Sequence, residues 1–104
     1  MQINITGKRI EMTPAIEDYA NKKLDKLQRY FDRIQQIDLV VDRPSGQASN
    51  QFDVEVITHV ERHDPFIATT TGDDVYACID GVVDKMSRQL SDYKERLRNR
   101  KHPS

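Results

Sequence analysis

The segment "TPAIEDYANKKLDKLQRYF", residues 13–31, decides the fold because it places a helix between one strand and three later strands. Thr13 can cap the first turn, Pro14 suits the first helical position, and Glu17 favours the positive end of the helix. Apolar residues then recur at steps of three and four, the spacing of a helix with one buried face. They are Ile16, Ala20, Leu24, Leu27 and Phe31. We therefore predict a helix from Thr13 to about residue 31.

The segments on either side of this helix alternate apolar and polar residues, the pattern of half-buried strands. "QINIT" (2–6), closed by Gly7, precedes the helix, and residues 37–42, 52–61 and 66–71 follow it. Turn-forming segments at 43–50 and 62–65 separate the later strands. Asp73 or Asp74 then caps a long second helix, and we expect a flexible tail from about residue 98. The apolar stripe of this second helix is Val75, Ile79, Val82, Val83, Met86, Leu90, Tyr93 and Leu97.

This order of elements, β-α-β-β-β-α, predicts an α+β fold of two layers in a single domain, residues 1–104. A helix that crosses between strands favours parallel pairing of the first strand, whereas short connections favour an antiparallel meander for the other three. We expect a four-stranded mixed sheet with both helices on one face and water on the other.

Composition limits the classes of function. The chain has 104 residues, a net charge of -1 and a mean hydropathy of -0.75. The longest apolar run is Leu39-Val40-Val41, too short to cross a membrane, and the N-terminus does not read as a secretory signal. The single cysteine, Cys78, cannot form an internal disulfide. These features predict a cytoplasmic protein without a membrane partner.

The charges are unevenly distributed, although the net charge is small. Residues 34–74 contain two arginines against eight acids, whereas residues 84–101 contain seven Lys and Arg against three acids. At 100° per residue, the cations fall on stripes of both helices. They are Lys22, Lys26, Arg29 and Arg33, with Lys23 nearer the core, and then Lys85, Arg88 and Arg96, with Gln89 beside them and Asp92 among them.

The sheet face turned away from the helices is expected to be acidic, with Asp38, Asp42, Asp53, Glu55 and Glu61. A polyanion would therefore dock across the helices and be repelled by the sheet. The stripes alone leave two interpretations open, a phosphate-binding surface or a solvated helix face.

Catalytic and metal-binding patterns are weak. His59, His63 and Asp64 lie near one predicted hairpin, yet no third histidine or cysteine is close in sequence, so we predict no metal. No histidine is placed to activate Cys78, which is predicted to pack as a small hydrophobe. We find no phosphate loop and no nucleophile motif, and we predict neither an enzyme nor a cofactor.

Two segments together resemble the ribosome hibernation promoting factor family, also called ribosome-associated inhibitors and, historically, sigma-54 modulation proteins. They are "MQINITGKRIEMTPAIEDYANKKLDKLQRYFDRI" (1–34) and "DDVYACIDGVVDKMSRQLSDYKERL" (73–97). The second contains a family-like opening at Asp74, Tyr76, Ile79 and Asp80, then a core of Lys85, Met86, Arg88, Gln89 and Leu90. The resemblance covers roughly residues 1 to 98.

The resemblance implies a fold similar to a double-stranded-RNA-binding domain with an extra first strand. It also implies binding to 16S rRNA in the decoding region of the small (30S) ribosomal subunit, which would block the tRNA and mRNA sites and inhibit translation in stress or stationary phase. Matched to the family pattern, the rRNA-binding residues would be Lys23, Lys26, Arg29, Lys85, Arg88, Gln89, Lys94 and Arg96. We add Lys22 from the basic stripe of the first helix. Asp92 departs from the pattern, because many members have lysine there.

The chain looks like a short form of the family, without the domain that pairs ribosomes in long forms. The resemblance leaves open whether it promotes ribosome dimers with a helper hibernation protein or instead keeps single ribosomes inactive, and we expect a monomer off the ribosome. The alternative function is a protein-interaction or regulatory module, such as sigma-factor-related modulation, that uses the acidic sheet face.

Overall fold

A computed structural model describes residues 2–44 and 50–100. Its elements are β1 (Gln2–Lys8), α1 (Pro14–Tyr30), β2 (Ile34–Asp42), β3 (Phe52–Val60), β4 (Phe66–Gly72) and α2 (Val75–Arg100). The predicted order β-α-β-β-β-α is confirmed. Most of the predicted turn 43–50 lies outside the described residues. Residues 98–100 are helical, and the rest of the predicted flexible tail also lies outside the described residues.

The strands form one sheet in the order β1-β2-β3-β4. β1 runs parallel to β2, with Ile5 opposite Leu39, as expected when a helix crosses between two strands. β2, β3 and β4 form the predicted antiparallel meander, in which Leu39 faces Val56 and Val56 faces Ala68. This topology leaves β1 and β4 as the two edges of the sheet.

Both helices begin at the predicted caps. The Thr13 hydroxyl accepts a hydrogen bond from the Ile16 amide at 3.2 Å. At α2 the cap is Asp74, whose carboxylate accepts bonds from the amides of Tyr76 and Ala77 at 3.0 and 3.3 Å. α1 ends at Tyr30 because Phe31 adopts an extended backbone, φ -143 and ψ 113. One consequence is that Arg33 lies beyond α1, so its predicted place on the α1 stripe is wrong.

β2 begins at Ile34, three residues before the predicted start at Ile37. Ile34 is buried and pairs with Val60, but a bulge between Ile34 and Gln36 shifts the register. A bulge places an extra residue in one strand, which breaks the alternation that marks a strand in a sequence. The segment "IQQ" therefore has no clear strand pattern, although it belongs to the sheet.

The core lies between the sheet and the two helices. From α1 it includes Ala20, Leu24 and Leu27, and from α2 it includes Ile79, Val82, Met86 and Leu90, all fully buried. Cys78 is also buried, and this burial raises the pKa of its thiol, in agreement with the predicted packing role. Thr58 is also fully buried, on the inner face of β3.

The outer sheet face, turned away from the helices, carries Asp38, Asp42, Asp53 and Glu55, as predicted. Glu61 instead follows the end of β3, in the turn. Two isoleucines interrupt the acidic surface, because Ile57 and Ile67 lie opposite each other on β3 and β4. The residue Ile67 is 53% exposed. The two layers of the domain therefore differ in chemistry.

Candidate nucleic-acid interface

α1 and α2 lie side by side and run in the same direction. The Tyr19 hydroxyl donates a hydrogen bond to the Asp80 carboxylate at 2.7 Å, and the Tyr30 hydroxyl donates one to the Ser91 hydroxyl at 3.2 Å. Both pairs have the same sequence separation of 61 residues. Tyr19 and Tyr30 are three helical turns apart, about 16 Å at the rise of an α-helix. The two bonds therefore hold the helices in one register.

An inter-helix groove of about 290 Å³ lies on this helix layer. Its lining is Lys23, Lys26, Asp80, Val83, Asp84 and Ser87. Lys23 Nζ lies 3.3 Å from Asp80 Oδ1, so one of the groove's cations is already neutralised by a carboxylate. The sequence predicts a basic stripe here. The structure adds two acids to it, because Asp80 and Asp84 line the same groove.

Asp80 is the centre of a polar network that fixes the end of this groove near Tyr19. The hydrogen bond from Tyr19 lowers the pKa of the Asp80 carboxyl, and Lys23 lowers it further. The same contact raises the pKa of Lys23. The Tyr19 ring also meets the Tyr76 ring edge-on, with centroids 5.0 Å apart. Asp80 therefore positions Lys23 and Tyr19, and through Tyr19 it supports the exposed ring of Tyr76.

Lys85 and Gln89 lie on the opposite side of α2, against edge strand β4. Lys85 Nζ donates a hydrogen bond to the Thr69 carbonyl at 2.7 Å, and Gln89 Nε2 donates one to the Ile67 carbonyl at 2.9 Å. α2 approaches β4 closely at Gly81, where an added Cβ would lie 3.2 Å from Thr70 Cγ2. An edge strand exposes carbonyls that lack a strand partner. Lys85 and Gln89 cover two of them.

These contacts give Lys85 and Gln89 a role in stability, which a double variant can measure. Lys85→Met with Gln89→Leu keeps the apolar stems and removes both hydrogen bonds. We expect a loss of about 1 kcal/mol in the free energy of unfolding, or a melting temperature lower by about 4–8 °C, because the bonds are solvent-exposed. Arg88→Met on the same helix is the matched control and should melt like the wild type. Equal melting of all three proteins would show that the two bonds do not stabilise the fold.

The other predicted cations differ in whether another side chain of the protein already contacts them. Arg29 pairs with Asp25 at 3.1 Å, Lys94 lies 5.6 Å from the centre of the Tyr30 ring, and Arg96 lies 6.0 Å from that of Tyr93. The side chains of three predicted rRNA-binding cations form no hydrogen bond, ion pair or cation–π contact with any residue that the structure describes. They are Lys22, Lys26 and Arg88, all exposed on the helix layer.

Asp92 is exposed on α2 between Arg88 and Arg96. It is four residues from each arginine, the spacing at which helical side chains can pair. Within 4 Å, however, Asp92 forms no ion pair with any residue in the described ranges 2–44 and 50–100. Asp92 therefore stands among the cations of α2 without neutralising one of them directly.

The histidines of the predicted hairpin do not combine into a metal site. His59 Nε2 lies 3.0 Å from Asp38 Oδ2, and Asn4 and Gln36 also donate hydrogen bonds to Asp38. Partial burial raises the pKa of Asp38, but these three bonds outweigh it and lower the pKa overall. Residues 2–44 and 50–100 contain no cluster of three potential metal ligands. Of the helices described, none combines the length and the apolar character needed to cross a membrane.

Known proteins are similar to this chain in both sequence and fold. The family described as "Sigma 54 modulation protein / S30EA ribosomal protein" matches residues 3–98. A ribosome hibernation promoting factor of Klebsiella oxytoca is 36% identical and the match covers 94% of this chain and 98% of that protein. Its counterpart in Azotobacter vinelandii is 33% identical, over 92% of this chain and 85% of that protein.

Solved structures agree with this assignment. A ribosomal subunit interface protein from Coxiella burnetii matches with a TM-score of 0.80 and 26% identity, over 91% of this chain and 99% of that one. The Protein Y N-terminal domain of Thermus thermophilus matches with a TM-score of 0.75 and 27% identity, over 89% of this chain and 99% of that one. The chain therefore belongs to the Sigma 54 modulation protein / S30EA ribosomal protein family.

Proposed function

We propose that this protein is a ribosome hibernation factor that binds 16S rRNA at the decoding region of the 30S subunit. Bound there, it would block the tRNA and mRNA sites and inhibit translation in stress or stationary phase. One observation carries the proposal. Lys22, Lys26 and Arg88 lie on the helix layer, and their side chains contact no oppositely charged or hydrogen-bonding group among the described residues. Family membership supports it, since the relatives at 33–36% identity are named ribosome hibernation promoting factors.

The nine proposed rRNA-binding residues have different roles in this proposal. Lys22, Lys26 and Arg88 contact phosphates directly, because no ion pair has to break first. Lys23, Arg29, Lys94 and Arg96 turn from their present partners toward the RNA. Lys85 and Gln89 hold α2 against β4 and keep Arg88 in place, and they reach the RNA only by releasing the two carbonyls of β4.

The partners and location follow from the same proposal. The protein acts in the cytoplasm as a single ribosome-binding domain, without catalysis or cofactor, and it is a monomer when it is off the ribosome. A helper hibernation protein joins it where ribosomes form dimers.

The test is co-sedimentation with purified vacant 30S subunits at increasing salt. Neutralised phosphates release counterions, so the logarithm of the binding constant should fall linearly with the logarithm of the salt concentration. The three direct contacts alone predict a slope of about -2 to -3, at about 0.7–0.9 for each phosphate, and the cations that turn toward the RNA should make it steeper. Protein that stays in the supernatant at low salt, or binding that does not change with salt, would rule the proposal out.

A protein-interaction function has one observation in its favour, the exposed Ile67 beside Ile57 on the acidic outer sheet face. An apolar pair rimmed by polar groups is a common feature of protein interfaces. The same sedimentation experiment separates the two functions. Ile67→Asp should leave 30S binding unchanged if the helix layer binds rRNA, and should weaken it if the sheet face contacts a ribosomal protein.

A further inference from the structure

Three arginines that are far apart in the sequence surround one pocket at the end of the sheet, where the β3–β4 turn meets α2. Two adjoining cavities, of about 180 and 390 Å³, share Arg62 and Tyr93 in their walls. The smaller is also lined by His63 and Arg96, and the larger by Arg33 and Glu61. We call this region the arginine pocket.

The floor of the arginine pocket is aromatic. The His63 ring lies flat on Phe66, with centroids 4.5 Å apart and planes 8° apart, and Tyr93 contacts both rings. Phe66 and Tyr93 are buried, whereas His63 is exposed. His63 Nδ1 lies 2.6 Å from the Asp64 carbonyl. Because a carbonyl only accepts hydrogen bonds, Nδ1 carries the proton and Nε2 is left to face a ligand.

The cations of the pocket are not neutralised. None of the three guanidinium groups hydrogen-bonds to, or forms an ion pair with, a residue in the part of the chain that the structure describes. Glu61 is the one carboxylate in the described lining of the two cavities. Arg62 also has a positive φ of 60, which is uncommon for a residue with a side chain. The turn therefore holds the Arg62 guanidinium next to an aromatic surface. The two cavities are lined by three arginines and by a single carboxylate, so most of the positive charge has no negative charge beside it.

We propose that the arginine pocket binds an unpaired nucleotide of an RNA strand. The base stacks against His63, and the guanidinium groups of Arg62, Arg96 and Arg33 hold the flanking phosphates. Guanidinium forks match phosphate oxygens in pairs, and aromatic side chains accept any base by stacking. That the RNA is rRNA rests on the proposed function. The pocket adds three RNA-contacting residues to the nine of the helix layer, namely Arg33, Arg62 and His63.

The test uses short labelled RNAs and fluorescence anisotropy, without ribosomes. We expect the wild type to bind a single-stranded octanucleotide more tightly than a blunt duplex of the same composition. Arg62→Asn with Arg96→Gln should weaken binding to the single strand by about tenfold or more, and asparagine tolerates the positive φ at position 62. His63→Ala should weaken it about fivefold, whereas His63→Phe should retain stacking and bind nearly like the wild type.

The matched control is Lys8→Gln with Arg43→Gln, which removes two cations at the far end of the sheet and should leave single-strand binding unchanged. Circular dichroism melting shows that each variant is folded. Wild-type affinity in Arg62→Asn with Arg96→Gln would overturn the proposal, and so would equal weakening by the control. Wild-type affinity of the His63→Ala variant for the octanucleotide would show that the pocket binds phosphate only, and would overturn the proposal that it binds a base. Competition by AMP at concentrations equal to those of the octanucleotide would assign the pocket to free mononucleotides instead.

Sedimentation with 30S subunits distinguishes failure of this proposal from failure of the proposed function. If the wild type does not bind 30S subunits, yet the pocket variants lose the octanucleotide, the pocket stands and the proposed function fails. If the wild type binds 30S subunits and the variants bind the octanucleotide like the wild type, the pocket alone is refuted.

Discussion

Lys26→Glu combined with Arg88→Glu is expected to lower the affinity for 30S subunits by about 100-fold or more. Each cation lies on a different helix, and neither forms an ion pair or hydrogen bond with the described residues. A hydrogen bond to a charged group contributes about 1.5–3 kcal/mol, so two lost bonds correspond to about 3–6 kcal/mol. At about 1.4 kcal/mol for each tenfold change, this loss exceeds 100-fold, and repulsion between glutamate and phosphate adds to it.

The double variant should keep the fold of the wild type. Both positions are exposed, and exposed substitutions without partners change stability by about 0.5 kcal/mol at most, which is about 2–4 °C in melting temperature. Lys8→Glu with Arg43→Glu is the control, because it makes the same change in net charge away from the helix layer. Strong 30S binding by the Lys26 and Arg88 variant, or equal loss in the control, would contradict the assignment of the site to the helix layer.

The pair Lys26 and Arg88 separates an effect on binding from an effect on stability better than a pair chosen from the sequence motif alone. In "DKMSRQL", Lys85 and Arg88 look equivalent, since both are cations of one stripe. The structure distinguishes them, because Lys85 is bonded to the Thr69 carbonyl and Arg88 is not bonded within the described residues. A Lys85→Glu variant would therefore lose both a hydrogen bond of the fold and a positive charge, and the two effects could not be assigned separately.

The fold could be predicted from the sequence wherever one periodicity held over a whole element. Ile16, Ala20, Leu24 and Leu27 repeat at helical spacing, and all four are buried. The caps at Thr13 and Asp74 were also predictable, because they depend on side chains within three residues. The start of β2 was not, because its pairing of Ile34 with Val60 is set by a partner strand and a bulge. Long-range pairing of this kind leaves no local periodicity.

The candidate site could be predicted only in part, for the same reason. A helical wheel correctly indicates that cations lie outside the core, but it shows one helix at a time. Asp80 meets Tyr19 and Lys23 across 61 and 57 residues of sequence, so its role depends on the packing of α1 against α2. Arg62 and His63 belong to a segment that is acidic on average, and only folding brings them next to Arg96.

Asp92→Lys is expected to tighten binding to 30S subunits by about tenfold. Because Asp92 has no ion pair with Arg88 or Arg96 in the structure, its carboxylate does not orient them and acts mainly as a negative charge near the phosphates. Replacing it with a cation removes that repulsion and adds one phosphate contact. The slope of the salt dependence should therefore become steeper by about 0.7–0.9, the value for one further phosphate.

Asp92→Asn separates the two parts of this effect, because it removes the negative charge without adding a positive one. Its affinity should lie between those of the wild type and Asp92→Lys, and its salt slope should equal that of the wild type. The lysine variant places like charges four residues from Arg88 and Arg96, which destabilises a helix by a few tenths of a kcal/mol, so its melting temperature should fall only slightly. Weaker binding by Asp92→Asn would show instead that the carboxylate pairs with an arginine in the complex and orients it toward the RNA.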